Sequence, residues 1–142
     1  MIVLDTDHLS EFQKGKSSAA KQFKDRLAHC AEPIATTIVS AEELMPGWLA
    51  AIHRERSPER QILAYHRLGQ LFTFFAAWTV LPWDESAVGS FEQLRRQRLR
   101  IGTMDLKIAS ITLTHGAKLL SGNLRDFRTV PGLQVEDWLS AE

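Results

Sequence analysis

The sequence is poor in the features that would commit it to a specialised class. It has a single cysteine, Cys30, among 142 residues. One thiol builds neither a disulfide framework nor a cysteine metal cluster. It carries no excess charge of either sign, since Lys and Arg total 17, Asp and Glu total 17, and the formal net charge is zero. A domain that lives on phosphate contacts usually has a basic excess, so a generic nucleic-acid coat is disfavoured. Long hydrophobic runs are missing as well. The longest mostly apolar stretch, Leu71 to Leu81, is interrupted by Thr73 and Thr79 and falls well short of the roughly 20 residues that cross a bilayer. The start, Met1-Ile-Val-Leu-Asp5, has no basic segment and reaches an acid at once, unlike a secretory signal. Repeats, low-complexity tracts and linkers are absent too. What remains is 44% hydrophobic and 24% charged, an ordinary globular composition. The expectation is one cytoplasmic domain over residues 1–142, away from membranes.

Two kinds of segment alternate along the chain. Short apolar β-type runs lie at Ile2–Leu4, Ile34–Thr37, Thr79–Leu81, Ala117–Leu120 and, more weakly, Leu133–Val135. Helical patterns fill the intervals. Ser17–Cys30 spaces Ala20, Phe23, Leu27 and Cys30 along one face. Ser40 can cap a helix from Ala41 to about Arg54. Ser57-Pro58 opens another that runs to about Ala77, with a capping hydroxyl and proline at the first helical position. Asp84 can cap a third, and Thr103 a fourth that ends near His115 and Gly116. Strands separated by helices imply right-handed crossovers and a parallel sheet covered on both faces. The strands do not alternate in polarity, as expected when both faces are buried. The fold class is therefore α/β, in three layers, with a central, mostly parallel sheet of four to five strands.

The acids matter more by position than by number. Asp5 follows the first strand, Glu42 and Glu43 open the helix after the second, Asp105 opens the helix at Thr103, and Asp126 lies just past Leu120. Ligands bind parallel sheets outside the carboxyl ends of the strands, where these acids should gather. Carboxylates crowded into one cleft raise each other's pKa unless a cation compensates. With oxygen ligands only, that cation is Mg²⁺ or Mn²⁺ and not zinc. Such a site suits phosphodiester hydrolysis. Any one acid in a first helical turn can equally serve the helix dipole, and Asp84 is assigned to capping alone. Asp7 is open to either a supporting or a capping role.

Four short motifs occur in order. They are Ile2-Val-Leu-Asp5-Thr-Asp7, Ser40-Ala-Glu-Glu43-Leu-Met-Pro-Gly47, Gly102-Thr-Met-Asp105-Leu-Lys-Ile-Ala109 and Ser121-Gly-Asn123-Leu-Arg-Asp126-Phe127. Together they resemble the PIN-domain ribonucleases, and within them the VapC-type toxins of bacterial toxin–antitoxin pairs. The resemblance implies Asp5, Glu43 and Asp105 as metal and catalytic acids, with Asp126 as a fourth. In this register Glu42 falls one place off. Ser121 and Asn123 would support the acids through hydrogen bonds. The resemblance further implies a three-layer PIN fold, Mg²⁺- or Mn²⁺-dependent endonucleolytic cleavage of RNA, and an antitoxin partner.

Other features admit two readings. Arg95, Arg96, Arg98 and Arg100 form either a solvated helix face or a set of RNA phosphate contacts. The apolar surplus between Trp48 and Trp78 suits packing on the sheet, with the excess available to a homodimer or an antitoxin segment. The histidines are scattered and are assigned no chemistry, and Met45 and Met104 are placed in the core. Leu4-Asp5-Thr-Asp7 also resembles the opening of haloacid-dehalogenase-type phosphatases, in which Asp5 would be the nucleophile and Asp7 the acid/base. Leu9 and the short chain depart from that family's pattern. A catalytically silent PIN-like binding scaffold is the remaining alternative. A receiver domain would need an acceptor Asp after Ile34–Thr37, which is absent.

Overall fold

The computed structural model describes residues 1–140. In chain order the elements are β1 (Ile2–Leu4), α1 (Thr6–Lys14), α2 (Ser18–Ala28), β2 (Ile34–Thr37), α3 (Ile38–Arg54), α4 (Pro58–Ala76), β3 (Thr79–Leu81), α5 (Glu85–Arg96), α6 (Thr103–Thr114), β4 (Lys118–Leu120), α7 (Leu124–Phe127) and β5 (Gln134–Glu136). The five strands form one sheet in the order β3-β2-β1-β4-β5, and every pairing is parallel.

Burial explains the layers. In β1, Ile2 and Leu4 face one side and Val3 the other, and all three are inaccessible. Ile2, Leu4 and Leu120 pack with Leu9 of α1 and with Phe23 and Leu27 of α2. Val3, Ala35 and Leu119 pack with Phe91 and Leu94 of α5 and with Ile108 and Ile111 of α6. Each large side chain withdrawn from water contributes about 1.5–3 kcal/mol, so the short strands are held by their covering helices. Helix α6 is enclosed along most of its length, as its near-continuous apolar sequence requires.

Several starts differ from expectation, each for a local reason. Strand β2 runs into α3 without a loop, and the Thr37 side chain, not Ser40, caps the helix by accepting from the Ser40 amide. Glu42 and Glu43 therefore lie one turn deeper than the first turn. Helix α6 starts at Thr103 behind Gly102, with no side-chain cap. Helices α1 and α7 have no counterpart among the expected elements. The expected caps Ser57 and Asp84 are in place, and Ser17, expected as the first residue of its helix, caps α2 instead. Met45 and Met104 are half-buried rather than enclosed in the core. No helix among the described residues is long and apolar enough to cross a membrane.

The strand order places a topological switch at β1. From β1 the chain builds β2 and β3 to one side, then returns across the sheet to lay β4 and β5 on the other. The connections leaving β1 and β4 diverge, and they open a crevice above adjacent carboxyl ends.

Candidate metal centre

Parallel pairing of Leu4 with Leu120 sets the next residues, Asp5 and Ser121, side by side at that crevice. The Asp5 amide donates to the Leu120 carbonyl at 2.9 Å, and the Ser121 hydroxyl donates to Asp5 Oδ2 at 2.6 Å. Asp5 also caps α1, since Oδ1 accepts from the Thr6 amide at 2.7 Å. Only 5% of Asp5 is exposed. Its pKa rises from 3.8 to about 6, because burial outweighs the Ser121 and Thr6 hydrogen bonds while Asp7 and Asp105 add repulsion.

Two further acids complete the group. Carboxylate oxygens of Asp5, Glu43 and Asp105 all lie within 4.8 Å of one another. Glu43 is exposed on α3, and its Oε1 accepts from the Thr6 hydroxyl at 2.8 Å. Asp105 projects from the first turn of α6. Burial raises its pKa; a hydrogen bond from Asn123 opposes this, and Asp126 and Asp7 reinforce the rise. Glu42 is outside the group and borders an apolar groove with Ile38, Phe72 and Trp83.

Asn123 organises the far side of the cluster. Its Nδ2 donates to Asp105 Oδ2 at 3.0 Å and to Asp126 Oδ2 at 3.1 Å. Its own amide donates to the Ser121 hydroxyl oxygen at 3.0 Å. Asp126 is thus held beside Asp105, but it is not one of the three carboxylates that close together. Asp7 has a supporting part: Oδ1 bonds the His8 ring at 2.8 Å and Oδ2 accepts from the Gly122 amide at 2.8 Å. Burial raises the Asp7 pKa, yet the bonds from His8 and Gly122 outweigh it and leave the carboxyl below its ordinary value.

His8 and Thr6 escaped the sequence reading. Thr6 looks like a linker between two acids, and only the fold turns its hydroxyl toward Glu43. His8 is fully buried between Asp7 and Asp137, with Nε2 3.3 Å from Asp137 Oδ1. Nothing in the neighbouring sequence signals a partner 130 residues away, the Trp138 amide that donates to Nε2 at 3.1 Å. The arginines stand apart from the acids' hydrogen bonds. Arg95 pairs with Glu92 at 2.7 Å, whereas Arg96, Arg98 and Arg100 are exposed around the turn into α6.

The donor set is made of hard oxygens alone. Three crowded carboxylates, two with raised pKa values, form a site that a divalent cation stabilises. Thiolate is absent from it, and the neighbouring imidazole of His8 is already engaged. The residues fit Mg²⁺ or Mn²⁺.

Residues 2–133 match the family model described as PIN domain. The chain belongs to this family. Two relatives and one solved structure illustrate the likeness. Ribonuclease VapC1 of Rickettsia felis is 28% identical over 138 residues, covering 94% of this chain and 93% of that relative. The tRNA(fMet)-specific endonuclease VapC of Salmonella typhimurium is 30% identical over 84 residues, covering 56% of this chain and 64% of its own length. A crystal structure of DNA-bound VapBC from Salmonella typhimurium matches with TM-score 0.72 and 25% identity, covering 96% of this chain and 97% of that chain. In a PIN domain the phosphatase reading lapses, and the geometry agrees with this. Both Asp7 oxygens are committed to His8 and Gly122, so Asp7 is not placed as an acid/base.

Proposed function

We propose that the chain is the ribonuclease toxin of a toxin–antitoxin pair, hydrolysing RNA phosphodiester bonds with Mg²⁺ or Mn²⁺ held by Asp5, Glu43 and Asp105. The carrying observation is the convergence of these carboxylates to within 4.8 Å at the switch point of a PIN fold. The names of the VapC relatives support the same activity. A divalent ion bound there supplies Lewis acidity toward the phosphate and activates water.

The protein's own residues orient the acids. Ser121 and Thr6 fix Asp5, Thr6 also steers Glu43, and Asn123 bridges Asp105 and Asp126. Glu43, the most exposed of the three, would take the proton of the attacking water. Asp126 acts beside Asp105, without direct ligation. Arg96, Arg98 and Arg100 are available to phosphate from the α6 side.

The partner reading rests on surface. Ile62, Tyr65 and Phe72 are 70%, 57% and 62% exposed on α4. Phe72 adjoins a groove of about 700 Å³ lined by Ile38, Met45, Phe75 and Trp83. We assign this face to a protein partner, an antitoxin segment or a second copy, in keeping with the VapBC complex from Salmonella typhimurium.

The test is incubation of the purified chain with bacterial RNA in Mg²⁺ or Mn²⁺, with and without chelator, paired with induced expression in a host lacking an antitoxin. Chelator-sensitive cutting and growth arrest are the expected results. Intact RNA in both metals would leave the silent PIN-like scaffold.

A further inference from the structure

A second cleft shares Glu43 with the acid cluster. It holds about 590 Å³ between the end of α1, the middle of α3 and α4. Lys14, Trp48 and Arg67 line it, with the Lys14 ammonium 5.2 Å from the centre of the Trp48 ring. Through Ala51 and Arg67 it continues into a depression of about 250 Å³ bordered by Arg54 and Arg60.

Two properties of this groove point the same way. First, Lys14, Arg54, Arg60 and Arg67 are all exposed, and none has an ion-pair partner among the described residues. Unpaired cations in series along a groove make a track for phosphates. Second, Trp48 offers an aromatic surface among those cations, the combination on which single-stranded nucleic acids stack.

We propose that single-stranded RNA enters along this α1–α3–α4 groove, with its phosphates on Lys14, Arg67, Arg54 and Arg60 and a base against Trp48. The strand then reaches the acids past Glu43. The inference rests on reading the acids as a nuclease centre. A protein segment fits the groove less well, because its lining cations outnumber its acids, Glu43 and Glu55.

The experiment is fluorescence-anisotropy binding of a labelled 12-nucleotide oligouridine in EDTA, at several salt concentrations, with cleavage in Mg²⁺ measured in parallel. R67A and the double variant R54A/R60A are expected to bind several-fold more weakly, with a salt slope smaller by about 0.7 for each phosphate no longer neutralised. W48A is expected to lose about tenfold in affinity with the slope unchanged, and W48F to recover part of the loss. K21A, on α2, serves as the control and binds as wild type. The proposal is overturned if all groove variants bind as wild type. It is also overturned if loss is confined to R96A/R98A, or if groove variants keep RNA binding but lose a dimer seen by light scattering. RNA held by the groove yet uncut in Mg²⁺ removes the nuclease reading and leaves the track standing. Mg²⁺-dependent cutting with full binding by the groove variants removes the track alone.

Discussion

The Ser121 hydroxyl donates to Asp5 Oδ2 at 2.6 Å across 116 residues of chain. The bond exists because β1 and β4 pair in parallel with Leu4 opposite Leu120, so the two residues that leave the sheet arrive together. It holds in place a carboxylate that burial would otherwise push further toward its neutral form.

Replacing Ser121 with Ala tests that bond. A buried carboxylate oxygen without its donor costs about 1–3 kcal/mol, and the Asn123 amide loses its acceptor as well. Because the hydroxyl lowers the Asp5 pKa, its removal raises that pKa above about 6. The pH–rate profile should move to higher pH, with the activity deficit greater at pH 6 than at pH 8. A deficit equal at both values would contradict the assignment.

The raised pKa of Asp5 makes metal-free stability pH-dependent in a defined direction. The folded protein binds the proton more tightly than the unfolded chain, whose Asp titrates near 3.8. The stabilisation is fully present below about pH 3.8 and is lost as pH rises through about 6, an effect of roughly 3 kcal/mol from this residue. In EDTA, Asp5→Asn should therefore gain stability relative to wild type between pH 5 and 7.5 in urea titrations. Mg²⁺ or Mn²⁺ should reverse the order above pH 7, where wild type gains about 4.1 kcal/mol at roughly a thousandfold excess over Kd and the variant gains little.

Asn123→Asp keeps the side chain's size but sets a third negative charge between Asp105 and Asp126. The amide that donates to both becomes an acceptor. The unfolding midpoint in EDTA should drop through repulsion, and apparent affinity for Mn²⁺, read by calorimetry with wild type as reference, should rise because the cation relieves that repulsion; an unchanged midpoint and affinity would contradict the bridging role of Asn123.

His8→Leu removes the pin between the two ends of the chain. Asp7 loses its ring partner and the Trp138 amide loses its acceptor, at a cost of about 2 kcal/mol. Hydrogen exchange should show the Trp138 amide, and the Gly122 amide held by Asp7, losing protection before the core strands do. Unchanged protection at both amides would show that His8 fills space and nothing more.

Much of this was legible in the sequence. Strands β1, β2 and β3 coincide with their runs in the sequence: β1 is continuously apolar because both its faces are buried, β2 buries Thr36 and Thr37 with their hydroxyls hydrogen-bonded, and β3 is a partly exposed edge strand. Asp5, Glu43 and Asp105, expected as one constellation, do come together. What could not be read depends on the fold. The Thr37 cap was hidden because a strand passing straight into a helix leaves no loop to mark the start. Helix α1 was hidden because its cap, Asp5, also belongs to the acid cluster. The bridge from Asn123 to Asp105 and Asp126, and the burial of His8 against Asp137, are made by side chains far apart in the chain, and no local period reports them. The zero net charge likewise conceals placement: acids gather at the end of β1 while exposed cations line the groove beside Glu43.

The most direct measurement is single-turnover cleavage of RNA in Mg²⁺ by wild type and by Asp5→Asn, with folding of both verified by circular dichroism. Loss of a metal and catalytic carboxylate should lower the rate by at least about a hundredfold while the variant remains folded, and EDTA should abolish the wild-type rate. Cleavage at equal rates by the two proteins, or a wild-type rate unmoved by chelator, would contradict a carboxylate–metal nuclease at Asp5.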